Sequence, residues 1–129
     1  QQVVGYLQSH PDVNYVLGPF DPADVFVDDA IAQAGLGDRV KLVGELGDEQ
    51  NLDFIRNKRV QVADCGIDNT YIGYAVIDQA IRVLNGQPVI EPNGENVPFQ
   101  MLDETNLPPA GADWHASYDY KSAYLKLWQ

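Results

Sequence analysis

The chain alternates short β-branched runs with longer stretches whose apolar residues recur every three or four positions. Val3, Val4 and Leu7 share a helical face within Gln1 to His10. Pro11 stops that helix, because proline biases the residue before it toward extended geometry. Val13 to Gly18 (VNYVLG) reads as a first strand. Asp21-Pro22 then opens a helix, with an acid at the N-cap and proline at the first helical position. Phe26, Val27, Ala30, Ile31 and Ala34 form its expected buried stripe, and Gly35 ends it. Val40 to Gly44 is a second strand, Glu45-Leu46-Gly47 a turn, and Asp48 the cap of a helix that holds Leu52, Phe54 and Ile55 and frays at Asn57. Val60, Val62 and Ala63 mark a third strand, Asp64-Cys65-Gly66 a turn, and Asp68 the start of a helix closed by Gly86. On that last helix Gly73, Val76, Ile77, Ala80 and Leu84 fall on one face.

Strands separated by helices of this length predict right-handed crossovers and a mainly parallel sheet covered on both faces, an α/β three-layer sandwich. In such sheets the turns after the strands form the functional edge. After Gly86 the pattern changes. Gln87 to Asn96 is rich in Pro, Gly and Asn and reads as a connection. Val97 to Asp103 is extended, but Pro98 confines it to an edge or a crossing segment. Asn106 to Gly111 is loop, and Tyr118 to Trp128 is a short amphipathic helix with Tyr120, Tyr124, Leu127 and Trp128 on one face. The expected organisation is a lobe over residues 1–106 and a tail with a short helix over residues 107–129.

Composition narrows the function. A chain of 129 residues that is 45% hydrophobic suits one domain with a real core. Nineteen acids against eight Lys and Arg, a formal charge of −11, argue against a binder of nucleic acid or of an anionic membrane, which needs a basic face. No apolar run is long enough to span a bilayer. The one cysteine, Cys65, rules out an internal disulfide, and no Cys/His cluster suggests a metal. No signal peptide is visible, yet Gln1 lies inside a helix without an initiator Met, which predicts a processed or fragmentary chain.

Candidate chemistry is sparse. His10 and His115 stand in unrelated contexts, and there is no G-x-S-x-G, G-x-G-x-x-G or Walker A lysine. Cys65 is the single enzyme-like hint: at a strand end near a helix start, a dipole could lower its pKa, although a small buried thiol explains it as well. Asp21, Asp48 and Asp68 each begin a helix, where capping is worth about 1 kcal/mol each. Their common place at the carboxyl edge gives them a second use. A carboxylate there can accept hydrogen bonds from hydroxyls or pair with a cation, and Phe20 can stack on a sugar face or an ammonium.

The stretch SHPDVNYVLGPFDPADVFVDDAIAQAGLGDRVKLVGELG, followed by IGYAVIDQAIRVLNGQP, resembles the carboxyl-terminal lobe of type I periplasmic solute-binding proteins. These are the sugar-binding subunits of bacterial ABC importers, and the same flavodoxin-like fold serves as the effector domain of LacI-type repressors. The resemblance covers roughly Gln1 to Asn106. It implies a missing amino-terminal lobe, and a missing first strand before Gln1. It also implies no enzymatic activity and no cofactor. A small carbohydrate-like solute would be held between two lobes by hinge closure. Partners would be the membrane subunits of an ABC transporter. The location would be periplasmic or extracellular, with a signal peptide in the precursor and a lipid anchor in a Gram-positive host. The family's sugar-contacting positions fall at Phe20 (beside Asp21), Leu46 and Ile67, where apolar residues replace the usual polar ones. Glu45, Asp64, Asp68 or Asn69 would then supply the polar groups, or the ligand would be less hydroxylated. The expected ligand-lining set is Phe20, Asp21, Glu45, Leu46, Ile67 and Asp68. Two other readings remain open: a LacI-type regulatory domain, and a small flavodoxin-like enzyme using Cys65.

Overall fold

The structure, a computed structural model, describes residues 1–92 and 94–129. Four strands form one open, mostly parallel sheet flanked by helices. The chain runs α1 (Gln2–Ser9), β1 (Tyr15–Leu17), α2 (Asp21–Gln33), β2 (Lys41–Leu46), α3 (Glu49–Arg56), β3 (Gln61–Ile67), α4 (Asn69–Leu84), β4 (Phe99–Leu102) and α5 (Tyr120–Leu127). The strand order is β1-β2-β3-β4. β1 pairs with β2 in parallel, as β2 does with β3, and the register sets Gly44 beside Asp64 and Leu46 beside Gly66.

Two compact units divide the chain. The first takes in Gln1–Gly66 and Gln100–Trp114, the second Ile67–Phe99 and His115–Gln129. The tail expected over residues 107–129 thus contributes to both. In the first unit Leu7, Ile31, Val40, Leu42 and Val60 form one buried cluster, and Leu52, Ile55 and Leu102 form another with Leu107 and Trp114 against it. In the second, Tyr71, Ala75, Tyr120 and Tyr124 join α4 to α5, with Tyr74, Val97, Ala116 and Trp128 around them. Tyr71 stacks on Tyr120 at 4.2 Å between ring centroids and Tyr74 on Trp128 at 5.6 Å. Among the described residues no helix is long and apolar enough to cross a membrane.

Several expectations need correction. β1 is shorter than Val13 to Gly18. β2 and β3 run further than expected, so Glu45 and Leu46, and likewise Asp64, Cys65 and Gly66, lie in strands rather than turns. Ladder pairing to a parallel neighbour carries these polar residues, and strand propensity alone does not foresee that. The stripe expected on α2 holds at Ile31, which is buried, and at Val27, which packs on the same cluster, but Phe26 is 75% exposed, and Asp21, Asp24 and Asp28 are buried as well. On α4 the face is also wrong. Val76, Ile77 and Leu84 are exposed, Leu84 by 85%, whereas Tyr71, Ala75 and Asp78 turn inward. The aromatic residues of α5 offer α4 more contact area than its aliphatic side does. Leu127 of α5 is exposed as well. Of the connection expected over Gln87 to Asn96, Asn93 lies outside the described residues.

Candidate functional site

The carboxyl ends of β1 and β2 bring four of the expected residues into the first unit. Phe20 precedes α2 and leaves 47% of its surface exposed. Asp21, the first residue of α2, is fully buried. Glu45 points to solvent, and Leu46 is half-buried. Leu46 has φ +128 and Gly47 has φ +80. Glycine adopts that region freely, but a leucine there is strained by on the order of 1–3 kcal/mol.

Ile67 and Asp68 belong to the second unit. Ile67 ends β3 and is half-buried. Asp68 is buried and its carboxylate is occupied: Oδ1 accepts the Tyr71 N–H at 3.0 Å and the Tyr120 hydroxyl at 3.3 Å, and Oδ2 accepts the Ala116 N–H at 3.2 Å. Burial works to raise its pKa, but these hydrogen bonds and nearby His115 win, and the pKa is lowered.

The three acids expected to be helix caps therefore differ. Asp68 caps α4 through the Tyr71 N–H. Asp48 occupies the N-cap position of α3 without a side-chain bond. Asp21 lies inside α2 and turns away from its own helix, so that its Oδ2 accepts the N–H of Asp48 at 2.7 Å. It ties the start of α2 to the turn between β2 and α3. That turn is held from another side by Trp114, whose backbone N–H donates to the Gly47 carbonyl at 2.8 Å.

Behind this edge lies a group of buried acids that pattern reading missed. Asp21, Asp24 and Asp64 are all inaccessible to solvent. Gly44 makes their meeting possible: a Cβ there would lie 2.6 Å from both Asp21 Oδ1 and Asp64 Oδ2, and would overlap the Gln61 amide. Gly18 does the same for Asp24, whose carboxylate fills the space of a side chain at 18. Gln61 Nε2 donates to Asp64 Oδ2 at 2.8 Å, and its Oε1 accepts from Asn51 at 2.9 Å. Among the described residues Asp21 Oδ1, Asp64 Oδ1 and both oxygens of Asp24 have no hydrogen-bond partner. Burial, and then the charge of neighbouring acids, pushes Asp24 up to about 6. Burial, and then Asp21, pushes Asp64 up to about 8. Asp28 makes the contrast within the same helix, since its carboxylate holds the Arg59 guanidinium at 2.7 Å and the Gln61 N–H at 2.9 Å. The sequence did carry a signal, the i, i+3, i+7 spacing of Asp21, Asp24 and Asp28, masked by the apolar residues between them.

What the edge can do chemically follows. Burial and the charges of Glu45 and Asp64 push the Cys65 thiol up, the opposite of an activated nucleophile. Among the described residues no group of His, Cys, Asp and Glu is arranged to hold a metal ion. A groove of about 740 Å³ runs instead along α3, lined by Asp48, Glu49, Asp53, Phe54, Asn57 and Arg59 among others. It is open and strongly charged, and it lies off the strand ends where the candidate residues sit.

No family model and no curated protein matches this sequence. Solved structures do share its fold. An ABC transporter solute-binding protein from Mycobacterium smegmatis with bound glycerol superposes with a TM-score of 0.70 at 23% identity, covering 86% of this chain and 39% of its own. GanP, a glucose-galactose binding protein from Geobacillus stearothermophilus, gives 0.69 at 19% identity, covering 83% and 37%. A solute-binding protein from Agrobacterium vitis with bound D-fucose gives 0.68 at 18% identity, covering 84% and 36%. The chain thus has the fold of one part of sugar ABC transporter solute-binding proteins, and spans less than two fifths of their length.

Proposed function

We propose that this chain is the carboxyl-terminal lobe of a solute-binding component of a bacterial ABC importer, a binding protein and not an enzyme. In this reading a small, polar, sugar-like or polyol solute is held between this lobe and a second one, and hinge closure presents the closed form to the membrane subunits. The place of action is then periplasmic or extracellular. The glycerol and D-fucose carried by proteins of the same fold support a hydroxylated solute.

The observation that carries the reading is the edge itself. Phe20, Glu45 and the strained Leu46 stand together at the carboxyl ends of adjacent parallel strands, where open α/β sheets take ligands. Backbone strain held at such a position is characteristic of ligand-clamping segments. Phe20 supplies a flat apolar face for a sugar ring, and Glu45 an acceptor for hydroxyls. Asp21, being buried, acts behind these residues.

The test is calorimetric titration of the two-lobed protein with glycerol and a panel of hexoses and pentoses. Phe20→Ala is expected to weaken binding about tenfold, equivalent to about 1.4 kcal/mol. An unchanged affinity for every solute that binds would remove Phe20 from the site.

A further inference from the structure

We propose that Asp21 and Asp64 share a single proton across the gap left by Gly44, and that this proton positions the Gly47–Asp48 turn at the end of β2. The inference concerns the support of the proposed binding edge, and its test uses no solute, so its failure leaves the binding reading standing.

Two buried carboxylates cannot both be charged side by side without a cation. Asp21 and Asp64 are fully buried, and their carboxyls meet at the space of a Gly44 side chain, where a Cβ would lie 2.6 Å from both Asp21 Oδ1 and Asp64 Oδ2. One proton changes the arrangement. An O–H between the two carboxyls gives an orphaned oxygen a partner, leaves Asp64 Oδ2 free to accept from Gln61, and leaves Asp21 Oδ2 charged to accept from Asp48 N–H. Asp21 is the link outward, because the Asp48 amide it holds belongs to the short turn that follows Glu45 and Leu46 at the end of β2.

The groups around the pair reinforce the shared proton. α2 contributes Asp24, β2 contributes Glu45, the turn contributes Asp48, and β3 contributes Cys65 beside the neutral Gln61 amide. The turn's outer side adds Asp113, whose carboxylate accepts the Glu49 N–H. All are acids or neutral. The guanidinium of Arg59 is engaged by Asp28 and Asp29.

The sign of the pH effect is fixed by the direction of the shift. Burial raises both carboxyls in the folded state, so the folded protein binds protons that the unfolded chain has released. The stabilisation is complete below about pH 4, the unfolded value, and is lost as pH rises toward about 8, the folded value of Asp64. At that point the proton leaves to solvent, the carboxylates repel, and the turn loses its anchor.

The decisive measurement is a proton–nitrogen NMR titration of the chain from about pH 5 to about pH 9. The Asp48 amide is expected to shift in a step above about pH 7, in parallel with the side-chain carboxyl carbons of Asp21 and Asp64. Asp64→Asn, which keeps a donor to Asp21, should abolish the step and hold the Asp48 amide at its low-pH position. Asp24→Asn should retain the step. An Asp48 amide that does not titrate above about pH 6 in the wild-type chain overturns the proposal, and so does a step that persists in Asp64→Asn. The wild-type titration decides the matter even if the Asn variant does not fold.

Discussion

The second unit supplies its buried aspartates Asp68 and Asp78 with donors, whereas the first does so for Asp28 but not for Asp21, Asp24 and Asp64. In the second unit Asp68 and Asp78 are saturated. Asp68 accepts two backbone N–H groups and a tyrosine hydroxyl, while Asp78 accepts Arg82 Nε at 2.6 Å and Trp128 Nε1 at 2.8 Å. Burial works to raise both pKa values, but these donors outweigh it and hold them below the ordinary value. In the first unit Asp21, Asp24 and Asp64 keep orphaned oxygens and are raised. The same side chain is therefore a fixed anchor where donors surround it, as at Asp68, Asp78 and Asp28, and has a raised pKa where they are lacking, as at Asp21, Asp24 and Asp64. Burial does not distinguish the two roles; the supply of donors does.

The sharpest way to break that contrast is to remove an anchor. Asp68→Ala leaves the Tyr71 and Ala116 amides and the Tyr120 hydroxyl without their acceptor. A loss of about 3 kcal/mol is expected, because buried donors then carry their full desolvation cost. Denaturant unfolding at neutral pH checks this, and a loss below about 1 kcal/mol would mean that these donors find water or another partner. The lowered pKa adds a condition. The stabilisation from Asp68 is present above the unfolded value and disappears as pH falls through the folded one, so the difference between variant and wild type should shrink in acid. That is the reverse of the behaviour expected of Asp64.

A smaller loss is expected from filling the gap in the first unit. Gly44→Ala places a methyl group 2.6 Å from both facing carboxylates and into the Gln61 amide. Overpacking of this kind costs about 1–3 kcal/mol. Gly5→Ala is the control, since nothing lies within 4 Å of a Cβ there and alanine favours the helix. Equal stability of the two variants would show that the acids beneath Gly44 can move apart freely.

The order of elements was legible because it rests on local signals. Pro11, Asp21-Pro22, Gly35 and Gly86 each delimit a helix, and the β-branched runs fall in the parallel strands. Phe20 was legible as a position just before a helix start, whereas Glu45 and Leu46, expected in a turn, end β2. What could not be read was direction. Val76, Ile77 and Leu84 share a helical face as well as any core stripe does, yet that face is exposed. The partner that decides the matter is the aromatic cluster on α5, some fifty residues away. The buried acids were hidden by a different cause. Pattern reading assigns carboxylates to the surface, and only the register that sets Gly44 beside Asp64 shows where the Asp21 carboxylate can enter.

The smallest effect concerns Leu46, and it separates strain from contact. At φ +128 an alanine is as strained as the leucine and has less apolar surface to bury, whereas a glycine loses the side chain but relieves the backbone. Leu46→Gly should therefore be more stable than Leu46→Ala by about 1 kcal/mol, reversing the usual preference for alanine. Thermal unfolding of the two variants side by side is sufficient, since about 1 kcal/mol moves the midpoint by several degrees in a domain of this size. Alanine equal to or better than glycine would mean that the β2 end relaxes to an ordinary strand when the leucine is trimmed. The left-handed turn would then be a consequence of Leu46 packing, not a geometry imposed by Gly47 and the Asp21 tether.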